Sequence, residues 1–386
     1  MDFELDETQI AMREAAQDFA WTALAPKAAE WDAQSIFPRD VIGQAGELGF
    51  CGLYTPEDQG GLGLARLDSA MIFEALAGGC TSTAAYISIH NMATWMIATF
   101  GSDAVRDAWC PALAAGDKLA SYCLTEPGAG SDAASLKTKA ERDGDDYLLT
   151  GSKCFISGAG DTDVLVVMAR TGEPGARGIS TFAVPADTDG ISYGRKEPKM
   201  GWNSQATRTI TFDGVRVPVS HRLGEEGQGF SIAMKGLDGG RINIAACSLG
   251  TAQAALDASR RYLSEREQFG RKLGEFQALQ FKLADMATEL IASRQMVWLA
   301  ASRLDNAHAE ATAFCAMAKR LATDLCFDIC NQALQIHGGY GYIREYPLER
   351  HVRDVRVHQI LEGTNEIMRL IIARRVLADD NGDQLL

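Results

Sequence analysis

Between His358 and Arg369 the chain reads His-Gln-Ile-Leu-Glu-Gly-Thr-Asn-Glu-Ile-Met-Arg, which sets one carboxylate, Glu362, between the apolar pair Ile360-Leu361 and Gly363. Apolar neighbours disfavour the charged form of a carboxylate, so its pKa rises and it becomes a better proton acceptor near neutral pH. That is what a base needs when the proton is bound to carbon. The alternative is a buried Glu neutralised by an arginine, and Arg353, Arg356 and Arg369 are near enough in sequence to supply one. Thr364 or Asn365 can cap the segment that follows, where Ile367, Leu370, Ile371 and Arg374 recur at helical spacing.

Four other stretches carry groups that could hold a ligand. Ser121 to Asp132 (Ser-Tyr-Cys-Leu-Thr-Glu-Pro-Gly-Ala-Gly-Ser-Asp) reads as a strand entering a Gly-Ala-Gly turn. Glycines there let backbone N–H groups approach a flat or anionic ligand, with Thr125 and Ser131 as hydroxyl donors. Lys153 to Gly158 puts Phe155 and Ser157 on one side of a strand, an aromatic plane beside a hydroxyl that suits an isoalloxazine ring or else is strand core with an edge serine. In the charged interhelical loop Arg266 to Gln277, Arg266 and Gln277 could reach a pyrophosphate, although such loops are commonly just solvated. Gln335-Ile-His-Gly-Gly339 ends a helix at a glycine expected to be left-handed, the ordinary C-cap.

These stretches sit on three kinds of chain. From residue 6 to about 118 the apolar spacing is helical, and the domain is expected to span 1–118. From 119 to 227 short β-rich runs are punctuated by Asp143-Gly144, Asp189-Gly190 and Asp213-Gly214, which predicts a small antiparallel β-barrel or sandwich. From 228 to 386 helices return at about 229–264, 276–304, 308–337 and 364–379, the element list of a four-helix bundle. No βαβ alternation appears, so the glycine-rich turn is not a Rossmann fingerprint.

Composition sets the outer bounds. A chain of 386 residues, 46% apolar and 23% charged, is an ordinary globular mixture, and a net charge of −14 argues against nucleic acid as a partner. The nine scattered cysteines lack metal-ligand spacing and are expected to be reduced core residues. No run of eighteen uncharged apolar residues suggests a membrane span. The first residues lead directly into a helix start, Asp6 with Gln9 three positions on, without the pattern of a leader peptide, so a bacterial-type cytoplasmic location is expected.

Tyr122-Cys-Leu-Thr-Glu-Pro-Gly-Ala-Gly-Ser-Asp132, Arg266-Glu-Gln-Phe-Gly270, Gln335-Ile-His-Gly-Gly-Tyr-Gly341 and Leu361-Glu-Gly-Thr-Asn-Glu366, in that order, resemble the acyl-CoA dehydrogenase family along the whole chain. The resemblance implies FAD, a homotetramer, an electron-transferring flavoprotein as electron acceptor, and α,β-dehydrogenation of an acyl-CoA thioester with Glu362 as the catalytic base. It further implies that Tyr122, Leu124, Thr125, Gly130, Ser131, Phe155, Ile156 and Ser157 line the flavin, and that Thr364, Asn365 and Glu366 touch it beside the base. Arg266, Phe269, Phe276, Gln277, Gln335, Ile336, His337, Gly338 and Gly339 are implied to hold the ADP half, as in relatives where they reach a neighbouring subunit's FAD. Phe276 departs from several relatives, which have a polar residue there. Ser131, Asp238, Gly239, Gly240, Arg241 and Arg374 are implied to contact the acyl-CoA.

Some family members carry the base at the position matched here by Gly240, which cannot act as one. Thr81 to Asn91 and Asp238 to Ile244 resemble the isobutyryl-CoA branch, so a short branched acyl group is expected, with butyryl and 2-methylbutyryl groups as alternatives. Bulk from Tyr86, Ile87 or Leu361 could close such a pocket. An acyl-CoA oxidase and a non-catalytic flavin-binding scaffold are the remaining rivals.

Overall fold

The computed structural model describes residues 4–378. The helical part contains α1 (Glu7–Phe19), α2 (Ala28–Gln34), α3 (Arg39–Glu47), α4 (Arg66–Gly79), α5 (Thr81–Phe100) and α6 (Asp103–Ala114). α1 opens on a capping box in which Asp6 accepts from the Gln9 N–H and the Gln9 side chain accepts from the Asp6 N–H. α5 is buried around most of its circumference, so it forms the spine of this part rather than a surface helix.

The β part contains β1 (Ala120–Cys123), β2 (Lys139–Asp143), β3 (Asp146–Ser157), β4 (Val164–Arg170), β5 (Ile179–Pro185), β6 (Ile191–Tyr193), β7 (Thr207–Pro218) and β8 (Arg222–Leu223). The hydrogen-bonded path runs β6-β7-β3-β2-β4-β5-β8, with β1 beside β4. Side chains of β1 to β5 and β7 share one apolar core, so the sheet curls on itself. The expected antiparallel pattern holds for most pairs, but β1 runs parallel to β4, from Ala120 opposite Val164 to Cys123 opposite Val167, and β2 meets β4 in parallel at Lys139 and Arg170. The dipeptide Asp213-Gly214 is also not a turn between strands. β3 and β7 each run through twelve residues, and the extra residue around Gly214 (φ +61°) opposite Thr150 is absorbed as a bulge.

The last part contains α7 (Gly229–Glu265), the hairpin β9 (Glu267–Gln268) and β10 (Arg271–Lys272), α8 (Gln277–Asp305), α9 (Ala311–His337), α10 (Gly339–Tyr342), α11 (Leu348–Arg356) and α12 (Asn365–Ala378). α9 packs against α7, α8 and α12, while α7 also packs on α4 and α5 and ties the two helical parts into one core. The loop carrying Glu362 therefore lies where α7, α9 and α12 meet. All nine cysteines are buried and free. Among the described residues no helix is long and apolar enough to cross a membrane, and no cluster of side chains has a metal-binding arrangement.

Candidate active site

Glu362 lies in the loop between α11 and α12 with φ +52°, followed by Gly363 at φ +90°. Two successive residues on the positive side of φ make a sharp bend, and φ +90° at the second strongly favours glycine; a Cβ there would in addition push aside the terminal methyl of Met368. Side chains on other helices hold the bend. Lys319 Nζ donates to the Gly363 carbonyl (2.8 Å) and to Asn365 Oδ1 (2.9 Å), and Asn365 Nδ2 donates to Asp324 Oδ1 (2.7 Å) and Thr323 Oγ1 (2.9 Å). Thr364 Oγ1 accepts the Ile367 N–H and starts α12.

The Glu362 carboxylate points at α7. A Cβ on Gly240 would stand well inside van der Waals contact with its Oε2 and 3.0 Å from the Met92 sulfur. Although Glu362 is only partly buried as a residue, Oε2 has no solvent access and no hydrogen-bond partner. Burial raises its pKa to about 7, opposed first by Lys319 and then by Arg241. The arginines that could have neutralised it are engaged elsewhere: Arg353 with Asp32 and Glu349, Arg356 with Gln359, and Arg369 with Asp324. Arg241 is paired with Asp238 (2.7 Å), whose other oxygen accepts from Thr312. The site is thus an unpaired carboxylate poised near neutrality, facing the glycine notch of a long helix.

Around it, Tyr122 on β1 places its ring close enough for the Glu362 charge, after burial, to raise its phenol. The turn beyond β1 is closed by reciprocal backbone bonds between Glu126 and Ala129. Its Glu126 carboxylate is buried and accepts the N–H groups of Lys137 and Thr138 and an ion pair from Lys153 Nζ at 2.8 Å, which also reaches the Leu124 carbonyl. Burial alone would raise Glu126, but Lys153 and the amides hold it below the ordinary value. Through this pair the stretch Leu124 to Ser131 is locked beside Phe155 to Ser157. Leu124 and Ile156 are buried, Thr125 and Ser157 are partly exposed, and Gly130 and Ser131 are exposed. Phe155 sits in a bulge at φ +58°, 70% exposed. A Cβ at Gly128 or Gly130 would meet nothing within 4 Å. The result is an open, flat-sided ledge with an aromatic ring and hydroxyls on it.

A second cavity of about 390 Å³ is lined by Arg266, Ile336, His337, Gly338 and Gly339 together with Tyr262 and Tyr340. His337 stacks on Tyr262 at 4.3 Å and Arg266 lies 5.5 Å from the Tyr340 ring centroid. Gly338 is at φ +57°, ψ −134°, outside the left-handed helical region expected of a C-cap, and α10 starts immediately after it. The loop from Arg266 is a tight hairpin whose tip, Phe269-Gly270, has positive φ at both residues, 55° and 77°. Phe269 is 93% exposed, with the ring of Phe276 edge-on at 6.2 Å. Gln277 and Gln335 are exposed and do not line this cavity, and none of its lining residues belongs to the Glu362 cluster. Glu366 and Arg374 are exposed on α12, Asn365 is buried in the bonds described above, and Tyr86 is buried with its hydroxyl on the Ala120 carbonyl.

Three family descriptions match the chain in order: acyl-CoA dehydrogenase N-terminal domain over residues 6–117, middle domain over 121–215 and C-terminal domain over 227–377. The chain belongs to the acyl-CoA dehydrogenase family. A relative named mitochondrial isobutyryl-CoA dehydrogenase, from Bos taurus, is 56% identical over 97% of this chain and 90% of its own length. The solved butyryl-CoA dehydrogenase of Megasphaera elsdenii superposes with TM-score 0.95 at 39% identity, covering 98% of this chain and 100% of that one. A chain in a structure described under the electron transferring flavoprotein of Acidaminococcus fermentans superposes with TM-score 0.96 at 41% identity, covering 98% and 100%.

As an acyl-CoA dehydrogenase family member the protein is an FAD-dependent oxidoreductase, and the ledge at Leu124 to Ser131 and Phe155 to Ser157 has the open face, aromatic plane and donors that a flavin ring needs. Sequence reasoning missed the groups that hold the site in shape: Lys319, Glu126 and Lys153. Lys319 gave little signal: Ala316, Ala318 and Ala322 beside it are buried, but Arg320 follows it directly and Asp324 and Asp328 lie further along α9, so it reads as part of a charged helix face.

Proposed function

We propose that this enzyme converts a short branched acyl-CoA, isobutyryl-CoA, to its α,β-unsaturated thioester, methacrylyl-CoA, as in valine breakdown. The Cα–H and Cβ–H bonds break and a C=C bond forms, with the α-proton going to Glu362. The chemistry FAD supplies when bound is acceptance of the β-hydride at its N5. The observation that carries the reading is the unpaired Glu362 carboxylate, buried at Oε2, with a pKa near 7 and the Gly240 notch before it. The main-chain N–H of Glu362 is the chain's own donor toward the thioester carbonyl, where negative charge develops as the proton leaves. Ser131, Asp238 to Arg241 and Arg374 are assigned to the acyl-CoA.

The isobutyryl preference is supported by the 56% identity to the Bos taurus enzyme, and a straight-chain butyryl preference by the likeness to the Megasphaera elsdenii one. Electrons then pass to an electron-transferring flavoprotein, a partner supported by the Acidaminococcus fermentans likeness. In a homotetramer the cavity at Arg266 and His337 completes the FAD site of a neighbouring subunit.

Anaerobic titration of the purified protein with isobutyryl-CoA, 2-methylbutyryl-CoA and butyryl-CoA, following flavin absorbance, tests this. Bleaching at the lowest concentration of isobutyryl-CoA, abolished in Glu362→Gln, is expected. Preferential bleaching by another substrate overturns the substrate assignment, and bleaching that survives in Glu362→Gln overturns the base.

A further inference from the structure

Lys319 is wholly buried on α9 and pairs with no carboxylate among the described residues. Its Nζ donates instead to two neutral oxygens, the carbonyl of Gly363 and the side-chain oxygen of Asn365. An ammonium taken out of water and bonded only to neutral acceptors is destabilising unless an opposite charge balances it through space. The anion that most strongly favours its charged form is Glu362, one residue before the carbonyl it holds.

We propose that Lys319 is the positioning residue of the base: its bond to the Gly363 carbonyl fixes Glu362 in its left-handed bend, and its charge is the one against which Glu362 ionises. The proposal rests on Glu362 being the base.

The surroundings leave Lys319 the dominant cation. Facing Glu362 are Lys319 from α9, Arg241 from α7, the phenols of Tyr54 and Tyr122, and the Cys247 thiol. Arg241 has its own carboxylate, Asp238, at 2.7 Å, which offsets its charge. Facing Lys319 are Glu362, Arg241, Asp324 of its own helix and Glu366 of α12, with His358 beyond, held neutral by burial and by Lys319 itself. Asp324 is already shared among Asn365, Gln359 and Arg369. Burial lowers the Lys319 ammonium to about 8, so it is charged over the range in which Glu362 ionises, and Lys319 is the largest of the influences opposing the rise of Glu362. The bond geometry and the charge thus act at one point of the chain: the same nitrogen shapes the bend and lowers the pH at which its carboxylate becomes a base.

The two roles separate by substitution. In Lys319→Gln the amide can still donate to the Gly363 carbonyl, and only the charge is lost. In Lys319→Met both are lost. The holoenzymes are mixed anaerobically with isobutyryl-CoA across the neutral pH range, and the flavin-bleaching rate is followed. The acid limb is expected to move to higher pH by about one unit or more in both variants, with the high-pH plateau recovered in Lys319→Gln and lower in Lys319→Met. Asn365→Asp sets a carboxylate against the ammonium and moves the limb the same way, so the test survives if neither Lys319 variant folds. A reading without turnover comes from the melting difference between each variant and its Glu362→Gln double mutant, whose pH midpoint reports where Glu362 ionises. An unmoved limb in folded, yellow variants overturns the proposal. Bleaching that persists in Glu362→Gln alone instead overturns the base assignment beneath it.

Discussion

Glu362 Oε2 rests against the bare Cα of Gly240, in the first third of the 37-residue helix α7, in the space where any other residue would carry its Cβ. Glycine inside a helix costs about 1 kcal/mol relative to alanine. Here two in a row are used, because the neighbouring Gly239 gives the same clearance to the buried Arg66 guanidinium, which lies 3.5 Å from the Tyr54 ring centroid. The helix gives up local propensity to seat one charge from α4 and one from the Glu362 loop.

Gly240→Ala is expected to reduce flavin bleaching by acyl-CoA at least about a hundredfold, since a displacement near 1 Å at a reacting group has that effect. Overpacking costs about 1–3 kcal/mol and the gain in helix propensity offsets part of it, so the variant should still fold and bind FAD. Rapid anaerobic mixing beside a thermal melt checks this. A variant that bleaches at the wild-type rate would show that the carboxylate has room to spare.

The pH dependence of stability follows from the same carboxylate. Its folded-state pKa, about 7, lies above its ordinary value of 4.5. Between those values the folded protein holds a proton that the unfolded chain has released, so stability falls as pH rises through that window and the full cost is present above pH 7. Glu362→Gln removes the titrating group and should stabilise the protein at pH 8 by up to about 3 kcal/mol while changing little at pH 4. Denaturant unfolding of both proteins at the two pH values is the check. A gap that does not widen with pH would place the Glu362 pKa near its ordinary value.

Phe269 occupies a left-handed turn position at the β9–β10 tip with its side chain almost wholly exposed. A β-carbon there costs roughly 1–2 kcal/mol. Phe269→Asn, compatible with that turn, should therefore leave the melting temperature unchanged or raise it slightly, while loosening FAD if the ring meets a neighbouring subunit's cofactor. FAD retention on gel filtration, measured beside the melt, separates the two effects.

What could be read from the chain was local. Leu361-Glu-Gly-Thr and the Gly-Ala-Gly turn announce themselves because the chemistry and the bend are written in adjacent residues. The helix α5 was legible as helix but not as the buried spine, because burial on nearly all sides erases the polar stripe that marks orientation. The bulge at Gly214 was hidden for another reason. Asp-Gly has the same signature in a hairpin turn and in a bulge, and only the pairing of β3 with β7 decides between them. The supports were the least legible part: Lys319 meets Gly363 across 44 residues and Lys153 meets Glu126 across 27, and each looks like a surface lysine until the partner element is placed.

The Glu126–Lys153 pair gives the sharpest test of how the ledge at Leu124 to Ser131 is held and of whether it carries the flavin. Both side chains are buried, and together they tie Leu124 and Thr138 to the strand that carries Phe155. Removing one member leaves the other as an unpaired buried charge, so Lys153→Met should destabilise the protein by about 3–5 kcal/mol and release FAD. Removing both charges, as in Lys153→Met with Glu126→Gln, leaves no uncompensated charge, and an amide at 126 can still accept the Lys137 or Thr138 N–H. Most of the lost stability should return in the double variant. If the pair serves only stability, flavin binding returns in step with it. If the ammonium's grip on the Leu124 carbonyl is what shapes the ledge, the double variant regains its melting temperature but remains colourless after purification, and reconstitution with added FAD gives a weakened complex. Thermal melts and flavin absorbance on the three proteins decide between these outcomes, and a single Lys153→Met variant as stable as wild type would mean that Glu126 is protonated rather than paired.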